Sequence, residues 1–361
     1  MTAGFFSPLP PARTGVAAYS ASLLTELRRL GDVRIGENGD ANLYHLGNNQ
    51  MHRSIYEHAL AYPGVVVIHD AVLHHFLLGT LPHDRYVGEF IYNYGPWHAD
   101  LAERLWQKRA HSGVDPCYFQ YPMLRRAVEN ARAVIVHNGA AKRLAEEHYA
   151  RRVIEIPHLF VRPEMPADYE VTKLREQMGV GSRTCLFGVF GHLRESKRLP
   201  SVIQAFSKLD ADAALLVAGE FASSDLERSL EPLLSRRGIV RIGYTTERDS
   251  WRYAAAVNVC VNLKYPGAGE TSGIGVRLMG IGKPVIVTAG EETAGFPEAA
   301  CLRVDAGVAE VDMLIEYMTW LAQFPNDARA VGIRAAAHIA EFHDPARIAA
   351  QYWRVLRESI A

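Results

Sequence analysis

Residues 269–287 read GETSGIGVRLMGIGKPVIV. A carboxylate and two hydroxyl side chains stand between glycines. A run suited to a short helix follows, and Lys-Pro then introduces a β-branched strand. Just upstream lies a second apolar run, VNVCVNL (257–263). Strand, polar loop, helix and strand together make one parallel crossover. The loop falls at the carboxyl end of a strand, where parallel sheets place their ligands. Free N–H groups at the helix start favour an anion. A carboxylate beside them is costly unless neutral donors, such as hydroxyls, reach it. The plainer alternative is that Glu270 only caps the helix.

The same rhythm runs outward in both directions. Strand candidates in the first half are GFFS (4–7), DVRIG (32–36), ANLYHLG (41–47), GVVVIHD (64–70), AVIVHN (133–138) and VIEIP (153–157). In the second half they are CLFGVFG (185–191), ALLVAGE (214–220), IVRIGYT (239–245), VNVCVNL, KPVIVTA (283–289) and CLRVD (301–305). Helical patterns separate them, notably at 16–30, 139–150, 200–208, 224–235, 246–256 and 273–281. Strands that are apolar throughout, without alternation, indicate parallel sheets covered on both faces. The expected fold class is therefore α/β with two doubly wound domains. Residues 73–130 break the rhythm with successive helical patterns and no strand, and read as a helical insertion in the first domain. Residues 161–183 are polar, carry no core pattern and read as a linker. From 309 the chain reads as helical, with a break at 324–327.

Composition limits the function classes. At ~150 residues per domain, 361 residues correspond to about two domains. Lys+Arg (39) and Asp+Glu (40) balance to a formal charge of -1, without the basic excess of a general nucleic-acid binder. The four cysteines are widely spaced and form no CxxC, which fits a reducing cytoplasm. The N-terminus lacks the pattern of a signal peptide. No run reaches the ~20 apolar residues of a membrane span. A cytoplasmic protein is expected, with peripheral contact at the inner face of the membrane as the one alternative.

Four further loops follow strands. In SPLPPARTGVAAYS (7–20), Thr14 suits a helix cap and Gly15 lets a ligand approach the backbone, so the loop is an anion site or a simple turn. No GxGxxG motif is present. In VVVIHDAVLHHF (65–76), His69 and Asp70 end a buried strand and should project at the crevice. His74 and His75 match no metal-ligand spacing, and no metal is expected. His137 ends the next strand on the same rim, with structural hydrogen bonding the plainer role. In FGVFGHLRESKRLPSVIQAF (187–206), Gly191 permits a tight turn, and Arg194, Lys197 and Arg198 cluster before a helix, which suits a phosphate. GYTTERDSWRYAAA (243–256) follows a strand with glycine and hydroxyl residues suited to reading a base edge, Tyr244 among them.

In order along the chain, FFSPLPPARTGVAAYS, VVIHD, VIVHN, FGVFGHLRESKRL and GETSGIGVRLMGIGKPVIV resemble the motifs of the retaining glycosyltransferases of family 4. They are similar to that family's glycine loop, His-Asp segment, VIVHS-type strand end, GRLxxxKG loop and E-x7-E loop with its GxPVI strand. The resemblance implies the GT-B fold, with two Rossmann-like domains facing across a cleft. An acceptor-side domain is expected over 1–165, with its insertion at about 73–130 and a C-terminal helix (about 345–361) crossing back to it. A donor-binding domain is expected over 170–344.

The implied activity is metal-independent retaining transfer of a hexose-type sugar from a nucleotide-diphospho-sugar, with UDP or GDP expected and no further cofactor. The acceptor would be a saccharide, a lipid-linked sugar or a small molecule. Lys197 matches the family's diphosphate lysine. Glu270 matches its first motif glutamate with a one-residue shift. Thr271, Ser272 and Gly273 would meet the diphosphate. His192 stands where the family has arginine, a contact that Arg194 or Arg198 would replace. The second glutamate is absent. Its column holds Arg277, or Leu278 in the other register, and Arg277 would meet phosphate or pair with Glu270. His69 would position the sugar or the acceptor, with Asp70, His137 and Tyr94 on the acceptor side. A GT-B epimerase and a non-catalytic sugar-nucleotide-binding protein are the alternative readings.

Overall fold

The structure is a computed structural model and describes residues 1–360. The chain divides into two compact units. The first comprises Met1–Val161, Pro266–Thr271 and the C-terminal stretch from His343; the second comprises Arg162–Tyr265 and Ser272–Phe342.

In the first unit, β1 (Thr2–Phe6), β2 (Asp32–Ile35), β3 (Ala41–Leu46), β4 (Val65–Ile68), β5 (Ala133–Val136) and β6 (Val153–Glu155) form one sheet. Its order is β2-β1-β3-β4-β5-β6, parallel throughout. All four residues of β4 are buried, because both faces of the sheet are covered. Val66 and Ile68 pack against Phe76, Tyr86 and Phe90. Val65 and Val67 pack against Leu23 and Leu27 of the helix Gly15–Leu30 and against Ile348 and Tyr352 of the helix Pro345–Glu358. This two-sided burial accounts for the missing alternation, and each such valine contributes about 1.5–3 kcal/mol. The hydroxyls of Tyr19 and Tyr352 meet at 2.9 Å and tie the C-terminal helix to the first.

Residues 73–130 form the helices His74–Thr80, His83–Tyr94, Ala99–Gln107, Cys117–Gln120 and Arg125–Val128, with no strand among them. They are the crossover from β4 to β5 and supply one covering layer of the core, so they are more than an addition at the sheet end.

In the second unit, β7 (Cys185–Phe190), β8 (Ala213–Ala218), β9 (Ile239–Ile242), β10 (Val259–Asn262), β11 (Val285–Thr288) and β12 (Leu302–Val304) also run parallel. Their order is β12-β11-β10-β7-β8-β9. Counted from the unit's own first strand, this is the Rossmann order 3-2-1-4-5-6. Its direction of winding reverses between β7 and β10, at the switch point where such sheets open a crevice.

The segment 161–183, read above as linker, contains the helix Asp168–Gln177. Only Leu174 of this helix is buried, so it lacks an apolar stripe to betray it. Arg175 holds it in place by donating to the carbonyls of Ala256, Gly181 and Thr184. The C-terminal helices Glu310–Gln323 and Pro325–Phe342 part at Phe324. No described helix is long and apolar enough to cross a membrane.

Candidate functional site

The second unit concentrates its polar chemistry at the switch point. The loop after β7 starts at Gly191, whose φ is +95° and whose missing Cβ would collide with Ile274 Cδ1. Only glycine lets the strand turn there. The loop ends in a single 3-10 turn, Glu195–Lys197. Lys197 Nζ donates to Asn262 Oδ1 at 2.9 Å, and Asn262 is the buried last residue of β10. Asn262 Nδ2 in turn donates to Ser272 Oγ at 2.8 Å. Ser272 caps the helix Gly273–Gly280, accepting from the Gly275 N–H at 3.2 Å. An ammonium, an amide, a hydroxyl and a helix N-terminus are thus joined across the switch point, an arrangement that favours an anion. The Lys197 pKa is drawn down to about 8, first by desolvation and then by Arg194, with Cys260 opposing. A partly desolvated ammonium of this kind gains from an arriving anion more than a fully solvated one does.

His192 and Arg194 lie exposed on the same loop. Desolvation, then Arg194, lowers the His192 pKa. Two arginines are otherwise engaged. Arg198, at φ +56°, forks onto both carboxylate oxygens of buried Glu310, with Nε at 3.0 and 3.1 Å. It anchors the start of the helix Glu310–Gln323 instead of reaching out to a ligand. Arg277 lies 3.7 Å from Glu247 and over the Trp251 ring, so the counter-charge that the structure gives it is Glu247, where a pairing with Glu270 was one expectation. Tyr244 is exposed just beyond β9.

In the first unit the rim of the sheet gathers imidazoles. Thr14 caps the helix Gly15–Leu30 by accepting from the Ala17 N–H at 3.0 Å. Space beside Gly15 is open: a Cβ there would meet nothing within 4 Å. Asp70 Oδ2 accepts from the Asn48 N–H at 2.8 Å. His69 directly follows β4, and its Nε2 lies 2.9 Å from Nδ1 of His45 on β3. The Tyr19 ring meets His69 edge-on at 5.0 Å, and His137 lies 5.1 Å from it, centre to centre. Burial, reinforced by the neighbouring imidazoles, holds His45 and His69 neutral, far below the ordinary histidine range. His137 falls to about 4 through burial, against the raising effect of its bond to the Ile156 carbonyl. That bond, from Nδ1 at 2.9 Å, makes His137 Nε2 the bare, buried lone pair.

Other expected residues of this unit are packed. The Tyr94 ring lies 4.9 Å from Phe90 and 5.0 Å from Tyr121, and its hydroxyl accepts the Met123 N–H. The ring is partly buried and packs against the core of the insertion. His74 bridges the Tyr118 carbonyl and the Tyr86 hydroxyl, and His75 reaches the Ser112 carbonyl. Among the described residues, no group of three or more His, Cys, Asp or Glu is placed to hold a metal.

The segment Pro266–Thr271 belongs to the first unit, which the sequence did not signal. The Val72 N–H donates to the Ala268 carbonyl at 3.1 Å. Asn138 Nδ2 donates to the Gly269 carbonyl and to Thr271 Oγ1, and Thr271 Oγ1 donates to the His137 carbonyl. Gly269 has φ +69°, and a Cβ there would come within 2.7 Å of Ala71 Cβ. Glu270 Oε2 accepts the Ala268 N–H at 2.7 Å, so the carboxylate folds back on its own loop while Ser272 caps the helix. Asn262, Asn138 and His45 are the residues that sequence reasoning passed over. Asn262 ends β10, Asn138 lies two residues beyond β5 and His45 is the next-to-last residue of β3, and a polar residue at the end of an apolar run was the available signal.

No family model matches the chain, and no curated protein matches it in sequence. Solved structures do match in fold. HepE from Anabaena, crystallised with UDP-glucose, is 15% identical with a TM-score of 0.67, covering 99% of this chain and 100% of that one. Sucrose-phosphate synthase from Thermosynechococcus elongatus is 14% identical with a TM-score of 0.71, covering 99% and 98%. WaaG, a glycosyltransferase involved in lipopolysaccharide biosynthesis, is 14% identical with a TM-score of 0.65, covering 99% of each chain. With its two six-stranded parallel sheets and these likenesses over nearly its whole length, the chain has the GT-B fold.

Proposed function

We propose that the protein is a glycosyltransferase using a nucleotide-diphospho-sugar donor, with hexose transfer, retention of configuration and no metal requirement. The observation that carries this reading is the Lys197–Asn262–Ser272 chain at the switch point of a GT-B unit. The diphosphate sits against Lys197 and the N–H groups of the helix start, with His192 and Arg194 nearby on the same loop. HepE was crystallised with UDP and with UDP-glucose, which favours uridine over guanosine. Glu270 accepts hydrogen bonds from hydroxyls of the transferred sugar, and His69 positions the sugar or the acceptor.

In the reaction the bond between the anomeric carbon and the diphosphate oxygen breaks, and its electron pair leaves with the diphosphate. The acceptor hydroxyl oxygen forms the new bond from the leaving group's face. Its proton passes to the departing phosphate. Charge grows on the leaving oxygen, where Lys197 and the backbone donors are fixed before the reaction begins. Family 4 membership and the kind of acceptor, whether saccharide, lipid-linked sugar or small molecule, belong to this same reading, as does contact with a membrane surface.

A thermal-shift panel of UDP-, GDP- and ADP-sugars in the presence of a chelator tests the reading. At a hundredfold excess over Kd, one of them is expected to add about 2.7 kcal/mol of stability. Failure of the whole panel, or binding only after a divalent metal is restored, would count against it.

A second test uses Gly15. Because space beside it is open, Gly15→Val is expected to change stability by no more than about 0.5 kcal/mol. If a ligand approaches this backbone closely, the same change lowers donor affinity about tenfold, in line with ~1–3 kcal/mol for forced overpacking. Calorimetric titration and a thermal melt of the variant separate the two effects.

A further inference from the structure

The pairing of His45 with His69 has a chemical consequence. One proton is shared along the 2.9 Å contact between His45 Nδ1 and His69 Nε2, and each neutral ring carries one N–H. If His69 donated, His45 Nε2 would carry a hydrogen. That atom is buried and has no partner among the described residues, and a buried N–H without an acceptor is the rarer and more costly orphan. If His45 donates, the atom left bare is a lone pair. His69 then carries its own proton on Nδ1, the ring nitrogen for which no described residue supplies a hydrogen-bond partner. His45 is itself fixed from two sides: His52 Nδ1 donates to its carbonyl at 2.9 Å, and the Phe5 ring lies 5.0 Å from its own.

We propose that His45 is a positioning residue whose Nδ1–H locks His69 as the Nδ1–H tautomer, so that His69 offers a hydrogen-bond donor, not a proton acceptor, to an oxygen of the bound sugar. The proposal rests on the glycosyltransferase reading for its ligand but not for its tautomer. Burial keeps both rings uncharged, so the tautomer and not the charge decides what His69 can do. A histidine fixed in this way orients a hydroxyl by donating to its oxygen and cannot remove its proton. Selection falls on sugars that place a lone pair at that point.

The test combines spectroscopy with binding. Histidine ring nitrogens of the full-length protein are labelled with nitrogen-15, and the His69 signals are identified by their loss in His69→Gln. The expected pattern is a protonated Nδ1 and a bare Nε2, unchanged between about pH 6 and 8, the range in which an ordinary histidine titrates. A protonated Nε2 in the wild-type protein overturns the proposal without any variant having to fold. Next, UDP-glucose and UDP are titrated into His45→Leu and His45→Asn. The leucine variant is expected to bind UDP-glucose about tenfold more weakly and UDP unchanged, the scale of one lost hydrogen bond. The asparagine variant, whose amide can occupy the Nδ1 position, is expected to recover most of the loss. Equal weakening of both ligands, or no recovery by asparagine, assigns His45 a merely structural role. If wild-type protein binds neither probe, the donor reading fails while the tautomer result stands on the spectrum alone.

Discussion

Lys197→Ala is expected to lower turnover with the accepted sugar nucleotide by about 10²–10³-fold, the scale of one lost preorganised charge contact to a leaving group. The ammonium is the one cation of the second unit drawn into the Asn262–Ser272 chain. Its removal leaves Asn262 Oδ1 without this donor, so some loss of stability accompanies the loss of rate. Lys197→Met, which keeps the apolar stem, controls for packing. Steady-state kinetics with both variants check the result; turnover near that of wild type in either one removes Lys197 from the mechanism.

The same residue sets a pH dependence. Its pKa in the folded, unliganded protein is about 8, below the ordinary lysine value of 10.5. As pH rises through about 8 the free protein loses this charge, and affinity for UDP is expected to fall. A diphosphate bound there, as proposed, would pull the pKa back up and stretch the decline to higher pH. Stability runs the other way. Between pH 8 and 10.5 the unfolded chain binds more protons than the folded one, so stability from this group rises with pH in that window. Lys283 shares the stability effect, because desolvation also draws it down to about 8 while it donates to the carbonyls of Ala255 and Val257. The affinity slope therefore identifies Lys197, and the stability slope does not. UDP titrations of wild type and Lys197→Met between pH 7 and 9.5 distinguish them: a wild-type slope that persists in the variant would assign the titration elsewhere.

The central strands were legible because apolar runs buried on both faces carry their own signature, while the edge strands β2, β6 and β9, which are partly exposed, were read from short apolar stretches; all twelve overlap the stretches read as strands. The helix Asp168–Gln177 was not legible, because a single buried leucine leaves no period to detect. Among candidate site residues, glycines and cations after strand ends stand out in a sequence, and Gly191 and Lys197 were read that way. What a charged side chain then pairs with depends on distant segments. Arg198 looked as available as Lys197 until Glu310, 112 positions away, was seen beneath it. Tyr94 carries an aromatic ring suited to sugar stacking, and only tertiary structure shows that this ring also packs against Phe90 and Tyr121. His45 and Asn262 were hidden for the opposite reason: one polar residue in an apolar strand reads as noise until its partner across the sheet end is known.

Glu270→Gln is expected to reduce turnover by about 10²–10³-fold, comparable to removal of one group that stabilises a developing charge, with Tm moved by no more than about 0.5 °C, which for a chain of this size is roughly 0.4 kcal/mol. The two halves of this expectation have separate causes. The loop is held by Val72, Asn138 and Thr271 through bonds in which the Glu270 side chain takes no part. The bond in which Glu270 Oε2 accepts the Ala268 N–H at 2.7 Å needs only an oxygen, and glutamine supplies one. The fold of the strap therefore survives. The negative charge does not, and on the proposed reading the charge is what accepts from sugar hydroxyls while positive charge grows at the anomeric carbon. Glu270→Ala differs, since it also strips the Ala268 N–H of its acceptor and should cost about 1 kcal/mol of stability. Rates and melting curves of the pair separate chemistry from scaffolding. If the glutamine variant turns over like wild type, Glu270 is only the cap of its own loop; if both variants lose activity in proportion to lost stability, the residue is structural and the sugar contact lies elsewhere.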